Sequence, residues 1–168
     1  MKIAILGFSG SGKSTLARYL SNTLKLPVLH LDTVQFTSGW QERERSEAKA
    51  IVASFLEKND WIIEGNYGSF YQKERLEQAD CIFILTFSRW ASLRRVIARR
   101  IKYHNQTRPD MAPGCIEKID RDFLRWILYE GRSTEKQQHF AAIAQNYPEK
   151  THVIKNQRQL DAVYQRKS

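Results

Sequence analysis

The run IAILGFSGSGKST, residues 3–15, decides the fold. Four apolar residues lead into a glycine-rich loop, and a helical pattern follows, with Leu16, Leu20 and Leu24 four apart on one face. Gly7-Phe8-Ser9-Gly10-Ser11-Gly12-Lys13-Ser14 spells G-x-x-x-x-G-K-[ST], and Thr15 follows it. Glycines let such a loop turn through dihedrals that a side chain would block. Successive main-chain N–H groups then converge on one concavity, and the next helix adds its positive end. A flexible Gly/Ser linker would have a similar composition, but it would not sit between a buried strand and an amphipathic helix. The segment Gly7–Thr15 is therefore expected to cradle the phosphates of ATP. Lys13 would reach the β- and γ-phosphates, and the Ser14 hydroxyl would ligate Mg²⁺.

Apolar runs and helical patterns alternate along the rest of the chain. Strands are expected at Lys2–Leu6, Val28–Leu31, Trp61–Glu64, Cys81–Phe87 and His152–Ile154. Helices are expected at Lys13–Leu24, within Trp40–Lys58, at Phe70–Gln78, Arg89–Ile101, Glu117–Tyr129 and Thr134–Gln145, and near Leu160–Tyr164. Ile51, Val52, Phe55 and Leu56 would face inward, and Ser88 would cap the helix from Arg89. Asn105–Gly114, with two prolines and a glycine, reads as a loop. Strand–helix alternation predicts a parallel α/β sheet with right-handed crossovers, in one domain spanning 1–168.

Composition narrows the class. Of 168 residues, 42% are hydrophobic and 27% charged, as in soluble globular proteins. No apolar run approaches the ~20 residues of a membrane span. The first glycine of the loop comes too early for a signal peptide. The two cysteines, Cys81 and Cys115, read as reduced thiols of a cytoplasmic protein. His104, Cys115 and His139 do not have zinc-site spacing. The net charge of +9 is concentrated: from Cys81 to Pro109 there is no acid but seven basic residues, Arg89, Arg94, Arg95, Arg99, Arg100, Lys102 and Arg108. Such a field implies a polyanionic partner, either nucleotide phosphates or a nucleic-acid backbone.

Candidate site residues follow from strand ends. Glu64 ends the third strand at the carboxyl edge of a parallel sheet, beside the phosphate loop, where it would hold Mg²⁺. Asp32 closes the second strand at the same edge. It would accept a proton from a substrate hydroxyl, bind Mg²⁺ through water, or cap the next turn. Arg95 and Arg99 share one helix face, with Leu93, Val96, Ile97 and Ile101 on the other side. These arginines, with Arg108 from the following loop, would stabilise charge on a transferring phosphoryl group. Phe36, Trp40, Tyr67, Phe70 and Tyr71 would stack on a ring in the acceptor pocket, or lie in the core.

The chain as a whole resembles the small nucleotide-kinase-type P-loop proteins, adenylate kinase and its relatives. Trp61-Ile62-Ile63-Glu64-Gly65 is similar to their third-strand segment, and Arg94–Arg100 to the arginine helix leading into their lid. That likeness implies a nucleoside monophosphate kinase-like fold, with five parallel strands in the order 2-3-1-4-5 and a lid near 102–116. It implies Arg95 beside adenine and phosphates, Arg99 as a phosphate clamp, Arg108 as a catalytic lid arginine, and the loop Lys155-Asn156-Gln157, Asn156 at its centre, bordering adenine. HLD, WIIEGNY, RPDM followed by GC-x-E, and FLRWI together resemble the bacterial DNA topology modulation proteins, FlaR-like. Where adenylate kinases follow the strand acid with Gly-Phe-Pro-Arg, this chain has Gly65-Asn66-Tyr67-Gly68. The function expected is transfer of the γ-phosphoryl group of ATP·Mg²⁺ to a small acceptor, with Lys13, Asp32, Arg95, Arg99 and Arg108 catalytic. A DNA-binding regulator switched by ATP, or a plain ATPase, are the alternatives.

Overall fold

The computed structural model describes residues 1–103, 106, 110–115 and 120–165. Five strands form one parallel sheet: β1 (Lys2–Gly7), β2 (Val28–His30), β3 (Trp61–Glu64), β4 (Cys81–Leu85) and β5 (Thr151–Ile154). Their order is β2-β3-β1-β4-β5, as expected. The helices are α1 (Lys13–Leu24), α2 (Leu31–Gln35), α3 (Arg45–Leu56), α4 (Gln72–Gln78), α5 (Arg89–Lys102), α6 (Arg121–Leu128), α7 (Thr134–Asn146) and α8 (Gln157–Gln165).

Side-chain alternation along each strand sorts the core into two layers. Ala4, Leu6, Trp61, Ile63, Ile82 and Ile84 pack with Ala48, Val52 and Leu56 of α3, Leu76 of α4, and Phe140 and Ile143 of α7. Ile3, Ile5, Ile62, Phe83 and Leu85 face the opposite way, onto Leu16, Ala17 and Leu20 of α1 and Leu160 of α8. Both faces are covered, which is why the central strands are apolar at nearly every position.

The same parity aims the polar residues at the strand ends. Glu64 lies two residues beyond Ile62, so its side chain shares the face that carries α1. His30 lies two beyond Val28, on that same face, and the β2–β3 register sets His30 directly opposite Glu64.

At several ends the structure departs from the sequence reading. β2 stops at His30, and Leu31 begins the short helix α2, so Asp32 lies in a first helical turn and not in a strand. Leu31 is buried against Gly65, where a Cβ would come within 2.8 Å of it, and this contact turns the chain over the sheet edge. β4 ends at Leu85, and just beyond it Thr86 N–H donates to the Ile154 carbonyl of β5 before the chain enters α5. α3 begins only at Arg45, capped by the Glu44 carboxylate, which accepts from Ser46 and Glu47 N–H. α4 begins at Gln72, after Tyr71 in the left-handed region. α6 starts at Arg121 with Asp120 as its cap; the expected start at Glu117 lies outside the described residues. Ser88 caps α5 as expected, accepting from Ala91 N–H. The far side of α5 is not core, however: Ile97 and Ile101 are exposed, the latter by 74%. Its buried edge is made by Ser92 and Val96, which abut the phosphate loop so closely that a Cβ on Gly10 would come within 2.7 Å of Val96.

Two buried guanidiniums fasten loops to this frame. Arg75, 1% exposed, donates to the carbonyls of Phe70 (2.9 Å), Gly65 (3.1 Å) and Tyr67 (2.6 Å), fixing the segment after β3. Burial pulls its pKa down to about 10. Arg132 donates to the carbonyls of Ile127 and Phe87 and to the Ser92 hydroxyl, and its guanidinium lies 4.3 Å over the Phe8 ring.

Removing the Arg75 donors leaves three carbonyls without them. Arg75→Met is expected to lower unfolding free energy by about 3 kcal/mol in urea titrations, since orphaned buried acceptors keep their full desolvation cost. Gly7→Ala is expected to prevent folding: at φ +138° its Cβ would lie 2.2 Å from the Leu85 carbonyl oxygen. Recovery of soluble Gly7→Ala protein with native circular dichroism would contradict that geometry.

Candidate functional site

The carboxyl edge of the sheet opens into a cavity of about 1130 Å³. Its floor is the phosphate loop, with Ser9, Gly10, Gly12, Lys13, Ser14 and Thr15 all reaching its surface. Gly10 and Gly12 have positive φ, the conformation their positions demanded. The loop's other members support it from below. Gly7 N–H and carbonyl are both taken by the Asn66 side chain, at 3.0 and 2.8 Å. The Phe8 ring packs edge-on against Phe140, beneath Arg132. Ser11 is buried, and its carbonyl accepts from Arg95 Nη1.

At the front of α1 the polar groups meet. Ser14 Oγ donates to Glu64 Oε2 at 3.2 Å, and Lys13 Nζ lies 4.0 Å from Glu64 Oε1. His30 Nδ1 is 3.0 Å from Glu64 Oε2. Glu64 is 3% exposed. Burial pushes its carboxyl up, but the His30 hydrogen bond and the Lys13 charge outweigh it, and the group stays below the ordinary carboxylate range. An ionised carboxylate only accepts, so His30 Nδ1 carries the hydrogen. His30 orients Glu64 much as outer-shell groups orient metal ligands.

This pair of oxygens suits a hard cation. Two adjacent ligands of an octahedral Mg²⁺ lie roughly 2.9 Å apart at its usual bond length, close to the 3.2 Å between Ser14 Oγ and Glu64 Oε2. Among the described residues, no group of three His, Cys, Asp or Glu side chains could cage a metal by itself. A cation held by one or two protein oxygens together with phosphates matches Mg²⁺ chemistry.

One flank of the cavity is made by α5 and α8. Arg95, Arg99 and Lys102 of the basic run line it, with Gln157, Leu160 and Tyr164. Arg95 stacks on Phe87, 3.9 Å from the ring centre, and its Nη2 donates to Gln157 Oε1. The Asn156 side chain turns away: its Oδ1 accepts from Gln159 N–H at the start of α8, and Gln157 beside it reaches the cavity. Trp126 of α6 also lines the cavity and donates to Ser9 Oγ at 3.2 Å. Arg108 lies outside the described residues.

The other flank carries Asp32, Phe36, Trp40, Glu64, Tyr67 and Asp110. Tyr67 Oη donates to Asp32 Oδ1 at 2.7 Å. Phe36 and Trp40 meet edge to face at 5.4 Å. Met111, Ala112 and Cys115, from the segment read as a lid, are buried against Phe36, and Cys115 Sγ donates to the Thr37 carbonyl at 3.3 Å. Two of the five aromatics do not reach the site. Phe70 is core, and Tyr71 packs on the same cluster, because the chain turns inward there to enter α4.

Sequence reasoning gave no role to His30, Asn66 or Trp126 and missed the Tyr67–Asp32 bond. His30 and Asn66 stood in quoted motifs, HLD and WIIEGNY, and strand parity would have singled out His30. Trp126 stood in the quoted FLRWI and reaches the cavity through tertiary packing, and Gln157 reaches it from the loop that the kinase resemblance placed beside adenine.

No family model matches the chain, and no curated protein matches it. Solved structures do. Shikimate kinase from Bacteroides thetaiotaomicron is 19% identical and superposes with a TM-score of 0.55, covering 99% of this chain and 95% of that one. An uncharacterized protein from Eubacterium ventriosum is 12% identical with a TM-score of 0.51, covering 98% of this chain and 93% of that one. At these identities the likeness establishes the architecture: the chain has the five-stranded α/β fold of P-loop kinases of the shikimate kinase type.

Proposed function

We propose that the chain is an ATP-dependent phosphotransferase acting on a small acceptor. The observation that carries this reading is the meeting of Lys13, Ser14, Glu64 and Asp32 on one cavity whose floor is the phosphate loop. In this reading the loop amides and Lys13 hold the triphosphate, and Ser14 and Glu64 hold Mg²⁺. When bound, that ion would offset charge on the transferring phosphoryl group. Arg95 and Arg99 face the same phosphates, and Arg108, C-terminal to α5, is assigned the same role. Arg95 and the turn at Asn156–Gln157 border the base. Asp32 receives the acceptor's proton. The segment around 110–115, packed on Phe36, keeps water from the acceptor end.

The resemblance to the DNA topology modulation proteins belongs to this reading. Its motif residues gather on the cavity: Asp32, Glu64, Tyr67, Asp110, Phe123 and Trp126 all line it. The basic run divides: Arg95, Arg99 and Lys102 face the cavity, and Arg89 and Arg94 face solvent. This division favours nucleotide phosphates over a nucleic-acid backbone as the partner of that field. Shikimate kinase, of like fold, is by its name a kinase of a small metabolite, in line with a small acceptor here.

Titration calorimetry with AMP-PNP and Mg²⁺ tests the reading directly. Lys13→Ala is expected to lose at least about 2–5 kcal/mol of affinity, on the order of 100-fold or more, because it removes one partner of a buried charge pair. An unchanged heat in that variant would overturn the assignment of the loop. His30→Ala is expected to raise the Mg²⁺ concentration for half-maximal ATP turnover about tenfold, with nucleotide affinity in EDTA little altered. A Mg²⁺ requirement that does not move would remove Glu64 from the metal.

A further inference from the structure

We infer that Trp126 is a fixed shield at the γ-phosphate end of the cavity, and that it suppresses transfer of the phosphoryl group to water. The inference rests on the phosphotransferase reading and deepens it, by naming a wall residue that sets transfer apart from hydrolysis.

A ring left 41% exposed is not packed core, yet Trp126 is pinned on three sides. Its Nε1 donates to Ser9 Oγ at 3.2 Å. Lys136 Nζ lies 3.6 Å from the ring centre. Gly131 backs it so closely that a Cβ there would come within 2.9 Å of Nε1. The chain behind the ring is fastened as well. Arg132 joins the carbonyl of Ile127, the residue after Trp126, to the Phe87 carbonyl and the Ser92 hydroxyl, with its guanidinium over the Phe8 ring. The rigid frame therefore sets where the ring lies over the phosphate loop, with no lid movement required.

The end of the loop that it covers is the reacting end. Lys13 Nζ donates to the Phe8 carbonyl at 3.3 Å. The ammonium assigned to the β- and γ-phosphates thus lies beside Phe8 and Ser9, where the indole is attached. Phe123, three residues earlier on α6, lines the cavity with Trp126 and extends the apolar wall.

Hydrolysis is the reaction that competes at such a site. A water oxygen would bond to the γ-phosphorus while the bond from that phosphorus to the β,γ-bridging oxygen breaks. The electron pair leaves with ADP, and a proton of the water passes to the phosphate formed. Before it attacks, that water has to be held, and the Ser9 hydroxyl is placed to hold it. The indole N–H engages the hydroxyl oxygen, and the ring lies against it. Indole nitrogen donates only, so the shield offers a water no acceptor in exchange. In the phosphotransferase reading the acceptor lies on the flank near α2, away from this wall.

The test is ATP turnover by the full chain with Mg²⁺ and no acceptor, read as phosphate release at saturating ATP, beside calorimetry with AMP-PNP. The parent chain should release phosphate far more slowly than the roughly 1–100 per second of kinase transfer. Trp126→Ala should raise the rate about tenfold, with KM for ATP and AMP-PNP affinity within about twofold of the parent. A damaged fold lowers a rate, so a gain separates shielding from a structural role. Trp126→Phe keeps an apolar ring and loses the N–H; it should give a gain of about threefold, and it decides the matter where Trp126→Ala does not fold. Placed on a Ser9→Ala background, Trp126→Ala should raise the rate only about twofold over Ser9→Ala alone, because the hydroxyl that would hold the water is gone. A parent that hydrolyses ATP at kinase rates would overturn the shield. So would an unchanged or lower rate in Trp126→Ala with normal AMP-PNP heat, or a gain undiminished on the Ser9→Ala background. Absence of AMP-PNP heat in the parent chain would instead sink the phosphotransferase reading itself.

Discussion

The site depends on one buried ionised carboxylate. Glu64 sits at the end of a central strand, where only an accompanying set of donors makes a charge tolerable. Those donors come from two other elements: His30 from β2, and Lys13 and Ser14 from the front of α1. All reach it because strand alternation points Glu64 toward α1 and the parallel register places His30 opposite. A shift of one residue in either strand would turn a carboxylate or an imidazole into the hydrophobic layer on the other face. The charge therefore helps to specify the register as well as to serve the site.

Around that charge the cavity divides its chemistry. Cations line the α5 and α8 flank, and carboxylates and rings line the flank near α2. The phosphate loop between them is braced from beneath by Asn66, Phe140 and Arg132. In the phosphotransferase reading proposed above, such a division would orient a substrate, its charged end drawn to one flank and its uncharged part to the other.

Much of this was legible in the chain. Gly7–Thr15 identifies itself, because the sequence of conformations it needs leaves few residue choices. Continuous apolar runs in β1, β3 and β4 announce a doubly covered sheet. Less was legible where tertiary contact overrides local pattern. Leu31 looks like a strand residue until Gly65 offers a surface that turns it. Ile97 and Ile101 follow a helical period that implies burial, yet α5 lies with its narrow edge on the loop and leaves them in solvent. Nothing in the sequence singled out Arg75, and only the fold reveals the carbonyls it serves. The bond between Asp32 and Tyr67 joins residues 35 positions apart, and no spacing rule connects them.

The two buried guanidiniums have one trait in common. The acceptors described for Arg75 and Arg132 are main-chain carbonyls and a serine hydroxyl, groups that neither gain nor lose a proton between acid and alkaline conditions. Anchorage of this kind does not slacken with acidity in the way an ion pair with a carboxylate would. The backbone beneath the loop and in the segment after β3 is thereby held by acceptors whose own charge never changes, whatever the protonation state of the carboxylates that line the cavity.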